Sequence, residues 1–362
     1  MPPTFDAWEP ATAADNAVAV LMSGGVDSSV TAFLLREQGH PVVGITMKIP
    51  VPADDEAEGT ATCCGNEAAL VCARLQMPHY FVDVDHAFHA CVVKPFKQAY
   101  ASGRTPNPCV DCNALLKFTA IWDLVEEELG LQHLATGHYA RVEHAPDGAR
   151  LAEAHDRDRD QSYFIYGVPP RRLPHLHLPL GEQTKDHVRH LAAEHQLGVA
   201  DKPDSMELCF AGGGDYRRAL ETADEPGAIL DAAGARVGTH RGIHNYTVGQ
   251  RRGLGIAAAE PLYVTGIDPQ RNTLTVGTRD QAFTRRVTAG RANVLMPTTL
   301  QPGAALHGRI RSYGPKAPCR LVTHDDDSLC VEFDTPQFAP AAGQHLVLYD
   351  AAGHVVAGGA IT

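Results

Sequence analysis

Ala17-Val18-Ala19-Val20-Leu21-Met22-Ser23-Gly24-Gly25-Val26-Asp27-Ser28-Ser29 is the stretch whose reading decides the fold. Ala17 to Met22 is an unbroken apolar run of strand length, too short to span a membrane. Two glycines break the run, and Ser28 to Gln38 then carries helical periodicity that ends at Gly39. A buried strand, a tight turn and a helix in succession predict the first step of an α/β unit. The alternation continues outward: Val42 to Met47 predicts a strand, Asn66 to Leu75 a helix and His79 to Val84 a strand. His86 to Ala101 and Asn113 to Leu129 predict helices, and Leu131 to Gly137 another strand. The acidic stretch Pro50 to Gly65 and the Gly/Pro-punctuated segment Gly103 to Cys112 read as loops. The prediction is an α/β N-terminal domain with a parallel sheet and helices on both faces.

After about residue 215 the helical periodicity largely stops. Leu262 to Ile267, Thr273 to Val276, Ala305 to Tyr313, Cys319 to Thr323, Ser328 to Phe333 and Gln344 to Tyr349 are short and β-like. Such spacing predicts a small C-terminal antiparallel β-barrel or sandwich. The expected layout is a loose leader over 1–16, a catalytic domain over 17–215, a Gly-rich, linker-like central domain over 216–280 and the β-barrel over 281–362.

The chain has 362 residues, 44% of them hydrophobic, so wholesale disorder is excluded. Met1 to Pro10 carries Asp6 and Glu9 and no Lys or Arg, unlike a secretory signal. A cytoplasmic protein with no membrane partner is expected. The formal net charge of -12 argues against indiscriminate nucleic-acid binding. Its distribution is uneven. Asp54, Asp55, Glu56 and Glu58 crowd one segment, whereas Gln281 to Arg320 holds no acid but contains Arg285, Arg286, Arg291, Arg309, Arg311, Lys316 and Arg320. That stretch is either a local polyanion contact or a solvated basic face.

Ser23 to Ser29 has the chemistry of a phosphate cradle. The glycines let the backbone curl around an anion, and the helix N-terminus offers unpaired N–H groups and the positive end of its dipole. Ser23, Ser28 and Ser29 add hydroxyls, and Asp27 is a candidate for holding Mg²⁺. The pattern G-x-x-x-x-G-K-[ST] is absent from the chain. The loop instead resembles the S-G-G-x-D-S loop of the ATP pyrophosphatase family, which implies cleavage of ATP between its α and β phosphates and adenylation of a substrate oxygen.

Nine cysteines, an odd number in a long chain without an export signal, argue against a disulfide scaffold. Asn107-Pro108-Cys109-Val110-Asp111-Cys112-Asn113 places a C-x-x-C pair in reach of one metal, one cluster or one disulfide. Asp204-Ser205-Met206-Glu207-Leu208-Cys209-Phe210 supplies a third cysteine that only the fold can bring near. A zinc deaminase needs H-x-E upstream, which is lacking, and a four-ligand structural zinc site has no evident second pair. A catalytic thiol pair and a three-cysteine cluster both stay open. Cys63 and Cys64 are adjacent, which suits packing better than ligation. Asp156 to Asp158 is either a solvated loop or part of a site.

These motifs stand with others in a fixed order: Met22 to Ser29, Gly44 to Lys48, Gly103 to Phe118, Ala135 to Arg141, Asp160 to Tyr166, Asp204 to Phe210, Tyr246 to Ile256 and Arg311 to Cys319. Over nearly its whole length the chain resembles the bacterial tRNA-specific 2-thiouridylases, an adenine nucleotide alpha-hydrolase-like fold. The resemblance implies ATP-dependent thiolation of C2 of the wobble uridine, position 34, in the tRNAs for Lys, Glu and Gln, with ATP and Mg²⁺ as cofactors. It assigns ATP binding to Leu21, Met22, Ser23, Gly24, Gly25, Val26, Asp27, Ser28, Met47 and Gly137. Asn107, Pro108 and Cys109 fall in the segment framing the target base. His138, Arg159, Asp160, Gln161, Arg311, Ser312 and Gln344 fall where the family touches tRNA. Cys112 matches the nucleophile and Cys209 the persulfide carrier, with a Cys112–Cys209 disulfide after transfer. The implied sulfur donor is a cysteine desulfurase or a persulfide relay protein.

One departure matters: Cys109 stands where many members carry Asp. Cys109, Cys112 and Cys209 match the set with which some related tRNA thiolases hold a [4Fe–4S] cluster whose fourth iron is open.

Overall fold

The computed structural model describes residues 15–49, 65–203, 208–210, 216–220 and 223–362. Most of the leader, the acidic segment with Cys63 and Cys64, Asp204 to Glu207 and Gly212 to Gly214 lie outside the described residues. The chain divides into two compact units, residues 1–91 with 109–216 and residues 92–108 with 217–362.

The first unit is built on parallel strands. β1 (Val18–Leu21) leads into α1 (Val26–Glu37), β2 (Val42–Lys48), α2 (Gly65–Arg74) and β3 (His79–Asp83). β4 (His133–Ala135), the hairpin β5 (Ala140–Ala145) and β6 (Gly148–Glu153), and the short β7 (Leu176–His177) follow. The sheet order is β3-β2-β1-β4-β7 with every pairing parallel. Val18, Val20, Val30, Val71 and Ala135 form the core between sheet and helices. Parallel strands buried on both faces explain why β1 reads as a continuous apolar run rather than an alternation. A helix over Lys185–Glu194, capped by the Thr184 hydroxyl, packs on α1.

The C-x-x-C segment departs from expectation. Pro108–Asp111 is the first turn of a helical run, not the end of a loop, and Cys112–Ile121 continues it as a π-helix before Trp122–Leu129. Proline has its φ preset for a first helical position and no N–H to leave unpaired there, which is how the Asn-Pro signal starts a helix. Gly130 then ends the helix in the left-handed region, φ 67°.

In the second unit, the stretch read as linker-like holds a four-stranded sheet with its own core. β8 (Gly227–Leu230), β9 (Arg236–His240), β10 (Tyr263–Asp268) and β11 (Thr273–Gly277) lie in the order β10-β11-β8-β9. Ile229, Tyr246, Val264, Leu274 and Val276 are buried within it. Its parallel β11–β8 pairing joins segments distant in sequence, which local glycine content cannot reveal.

β12 (Phe283–Val294), β13 (Ala305–Arg309), β14 (Ala317–His324), β15 (Ser328–Phe338), β16 (His345–Tyr349) and β17 (Val355–Ile361) form a closed barrel, β12-β15-β14-β13-β16-β17. Pairing of Ala289 with Ile361 closes it and excludes the sandwich. Leu306, Leu321, Val331, Phe333 and Leu348 fill the interior. Closure leaves no open edge. No helix of the described residues is long and apolar enough to cross a membrane.

Candidate active site

The phosphate loop forms where β1 runs into α1. Gly24 takes a positive φ of 69°, which lets the chain reverse after Ser23. Gly25 precedes the helix in extended geometry without a side-chain cap, leaving the first N–H groups of α1 for a ligand. Ser28 accepts from the Ser23 N–H at 3.2 Å and donates to the Gly25 carbonyl at 3.2 Å; Ser29 donates to the same carbonyl at 2.8 Å. These bonds fix the curl of the loop before any ligand arrives. Leu21, Met22, Val26 and Ser28 are buried; Ser23 is exposed and Gly25, Asp27 and Met47 are half-buried.

Gly137 follows β4 and crosses directly over the loop. A Cβ there would lie 2.9 Å from the Asp27 carbonyl carbon and the Ser28 nitrogen. Backbone atoms cannot swing aside, so Gly137→Ala is expected to displace the start of α1 and weaken nucleotide use by about tenfold. A titration of the chain with ATP checks this.

An electrostatic contact of the loop comes from a residue that no motif marks. Lys185 is buried, and its Nζ lies 2.8 Å from both Asp27 carboxylate oxygens. The Tyr139 hydroxyl donates to Asp27 Oδ1 at 2.8 Å, and Lys202 Nζ donates to the Gly24 carbonyl at 3.1 Å. Two lysines and a tyrosine thus converge on the loop from residues far along the chain. Asp27, assigned to Mg²⁺ from the motif, spends its carboxylate on Lys185 and Tyr139 in this structure.

His138, Asp160 and Gln161 bind protein groups. Gln161 Oε1 accepts from the Tyr139 N–H at 2.9 Å. Asp160 accepts from Ala154 N–H, Ser162 N–H and the Ser162 hydroxyl at 3.0–3.2 Å. His138 Nδ1 pairs with the Thr136 hydroxyl at 2.8 Å; burial first, then the Lys117 cation, hold its pKa well below the usual imidazole value. Arg159 is exposed beside them. Asp160 and Gln161 therefore shape the loop that presents Arg159.

Cys112, at the start of the π-helix, is buried, and Cys109 keeps an exposed surface one turn earlier. Lys117 reaches along the same helix and donates to Asn113 Oδ1 at 2.9 Å. Burial pushes the Cys112 thiol up; Lys117 pulls it down; Cys91 and Asp111 push it up further. Burial likewise raises Cys109, Lys117 lowers it and Cys112 raises it. A raised thiol pKa makes reaction faster as pH rises, because the thiolate is the nucleophile. Lys117→Met removes the stabilising cation, so the pH midpoint for alkylation of Cys112 by iodoacetamide is expected to move upward. A midpoint that stays in place or falls would contradict this electrostatic role.

Cys209 is exposed, next to buried Phe210. The Phe210 ring meets Phe88 edge-on at 5.8 Å, and Asp85–Phe88 packs on the π-helix that begins at Cys112. The fold therefore anchors the Cys209 segment to an element in contact with the Cys112 helix. Among the described residues no three His, Cys, Asp or Glu side chains are grouped to hold a metal. Cys109, Cys112 and Cys209 thus do not fit a cluster in this conformation.

Asn107 and Pro108 belong to the second unit, where the loop ahead of the C-x-x-C pair is clamped. Gln344 Nε2 donates to the Thr105 carbonyl at 3.0 Å and the Pro106 carbonyl at 3.4 Å. Thr105 N–H donates to the Ala342 carbonyl at 2.8 Å, and its hydroxyl donates to Thr247 at 3.2 Å. Arg311 donates to the Ala339 carbonyl at 2.5 Å, with half-buried Ser312 beside it and Tyr313 91% exposed next in sequence.

Three family models match in order along the chain: a tRNA methyl transferase HUP domain over residues 16–213, a tRNA methyl transferase PRC-barrel domain over 218–278 and an aminomethyltransferase beta-barrel domain over 284–362. The chain is 40% identical over 360 residues to a tRNA-specific 2-thiouridylase of Caldanaerobacter subterraneus, covering 96% of this chain and 98% of that one. It is 43% identical over 352 residues to one of Xanthobacter autotrophicus, covering 94% and 90%, and 41% identical over 355 residues to one of Thermosynechococcus vestitus, covering 95% and 94%.

Proposed function

Because the chain belongs to the tRNA-specific 2-thiouridylase family, we propose that it transfers sulfur to C2 of the wobble uridine of the tRNAs for Lys, Glu and Gln at the expense of ATP. The observation that carries this is the pairing, in one unit, of a phosphate loop with thiols on elements that pack together. Methyl transfer, the reaction for which the matching HUP domain is named, needs neither feature; a nucleotide-cradling loop and the thiols Cys112 and Cys209 in the same unit support sulfur transfer instead.

The uridine O2 attacks the α-phosphorus of ATP and pyrophosphate leaves, so a poor leaving group becomes AMP. The first N–H groups of α1, with Lys202 drawn to the loop, stabilise charge on the phosphates. Mg²⁺ entering with the nucleotide would neutralise charge on the departing pyrophosphate. The terminal sulfur of a Cys209 persulfide attacks C2 and displaces AMP. The Cys112 thiolate then attacks the Cys209 Sγ; the bond to the transferred sulfur breaks, that sulfur stays on C2, and a Cys112–Cys209 disulfide forms. A cysteine desulfurase or relay protein recharges Cys209 once the disulfide is reduced. A tRNA substrate supports a cytoplasmic location. Arg159, Arg311 and the basic barrel stretch supply phosphate contacts, and the base leaves its stack to reach the thiols.

Pyrophosphate release from ATP with and without bulk tRNA tests this. Stimulation by tRNA with sulfur appearing in the RNA is expected; release indifferent to RNA would point to a small-molecule ligase. Iron and acid-labile sulfide are measured on the anaerobically purified chain. About four irons per chain, lost in Cys109→Ala, would overturn the persulfide route in favour of a cluster.

A further inference from the structure

β13 and β14 of the barrel pair antiparallel from Ala305 with Arg320 to Gly308 with Ala317, so residues 309–316 cross from one strand to the other. Several contacts brace this crossing. Ile310 is buried. The Gly314 N–H donates to the Arg311 carbonyl at 3.1 Å, which makes Ser312 and Tyr313 the central residues of a β-turn. The Arg311 guanidinium donates to the Ala339 carbonyl at 2.5 Å, and Lys316 Nζ lies over the Tyr349 ring, 4.9 Å from its centroid. Tyr313 stands on this braced turn and is 91% exposed.

A tyrosine ring left in water forgoes the burial that aromatic side chains usually gain. A partner can supply it, and the surroundings say of what kind. Among the described residues of the second unit, Tyr313 is the one large hydrophobic side chain so exposed; Leu70 and Leu115, the others, belong to the first unit. A protein interface is centred on several apolar side chains, which a single ring does not offer. Positive charge flanks the ring in sequence: Arg309, Arg311, Lys316 and Arg320, with no acid from Gln281 to Arg320. An aromatic face among cations is the combination that takes unpaired nucleobases, the charge holding the backbone and the ring stacking on a base.

We infer that Tyr313 is a stacking platform for an unpaired base of the bound tRNA. This role rests on tRNA being the substrate. It adds a contact that Arg311 and Ser312, assigned to tRNA by resemblance, do not supply: a flat apolar face rather than a charge or a hydroxyl. The braced turn fixes where the ring is presented, so little backbone freedom is lost on binding. Every base has such a face, so Tyr313 contributes affinity and leaves the choice of base to other contacts.

Filter binding of the full chain to an unmodified tRNA transcript, and to a fully paired RNA duplex of equal length, tests this. Tyr313→Ala is expected to weaken transcript binding about tenfold and to leave duplex binding unchanged, because paired bases offer no free face. The slope of log Kd against log salt should stay as in the wild type, since no phosphate contact is removed. Tyr313→Phe should bind the transcript as the wild type does, because the ring and not the hydroxyl makes the contact. Unchanged transcript binding by Tyr313→Ala, an equal loss on the duplex, a shallower salt slope, or a weakened Tyr313→Phe overturns the stacking role. Pyrophosphate release keeps this apart from the function itself. Release stimulated by tRNA, with Tyr313→Ala binding normally, removes the stacking contact alone; a wild type indifferent to tRNA removes both.

Discussion

Cys112→Ala and Cys209→Ala should each lower tRNA thiolation by at least about 1,000-fold while leaving pyrophosphate release from ATP largely intact. The two thiols act in one sequence of bond exchanges, so the double variant should be little worse than either single one. Neither change should unfold the chain. Cys209 is exposed, and Cys112 is a small side chain whose loss leaves a small cavity. Separating the two readouts is the point of the measurement: adenylation depends on the phosphate loop, sulfur release on the thiols. Retardation of the product RNA on an organomercurial gel reads sulfur transfer, and a coupled pyrophosphate assay reads adenylation. Thiolation surviving in Cys112→Ala would remove Cys112 from the reaction.

Lys185→Met should lower thermal stability and ATP-dependent activity together, with a loss of about 3 kcal/mol from the unpaired Asp27 carboxylate. The lysine side chain is 8% exposed and the aspartate 32%, so the pair sits where water screens it incompletely. Asp27 lies in the first turn of α1, where a negative charge is favoured by the dipole but opposes an incoming phosphate. Lys185 neutralises it and fixes its rotamer. Asp27→Asn in the Lys185→Met background should recover part of the stability, because no charge is then left buried without a partner. If the double variant is as unstable as the sum of the two single ones, the pair is not coupled. Denaturation midpoints of the four chains check this.

The α/β order, the phosphate loop and the C-x-x-C motif are legible in sequence because each is local. An apolar run, a glycine turn and a helical period follow one another without a gap from Ala17 to Gln38, and neighbouring side chains and backbone freedom determine them. The barrel strands β13 to β16 are legible for the same reason; β12, whose exposed Thr284, Arg285 and Arg286 break the alternation at its start, and β17, an all-buried run interrupted by Gly358 and Gly359, are not. Cys112 and Cys209 are recognisable as residue types, and the resemblance pairs them. What brings the Cys209 segment toward the Cys112 helix is Phe210 on Phe88, a contact between distant positions.

Only tertiary structure decided the rest. Lys185 looks like any surface lysine on a polar helix until packing of that helix on α1 carries its ammonium to Asp27. Gln344 reads as a strand-end polar residue until its amide meets the Thr105 and Pro106 carbonyls. Tyr313 falls at the end of the β-like run from Ala305, and only the turn that follows β13 leaves its ring in solvent. Local sequence specifies elements through short-range propensity and burial. Charge pairing, close approach and clustering depend on distances between elements, which the chain acquires only when the sheet assembles.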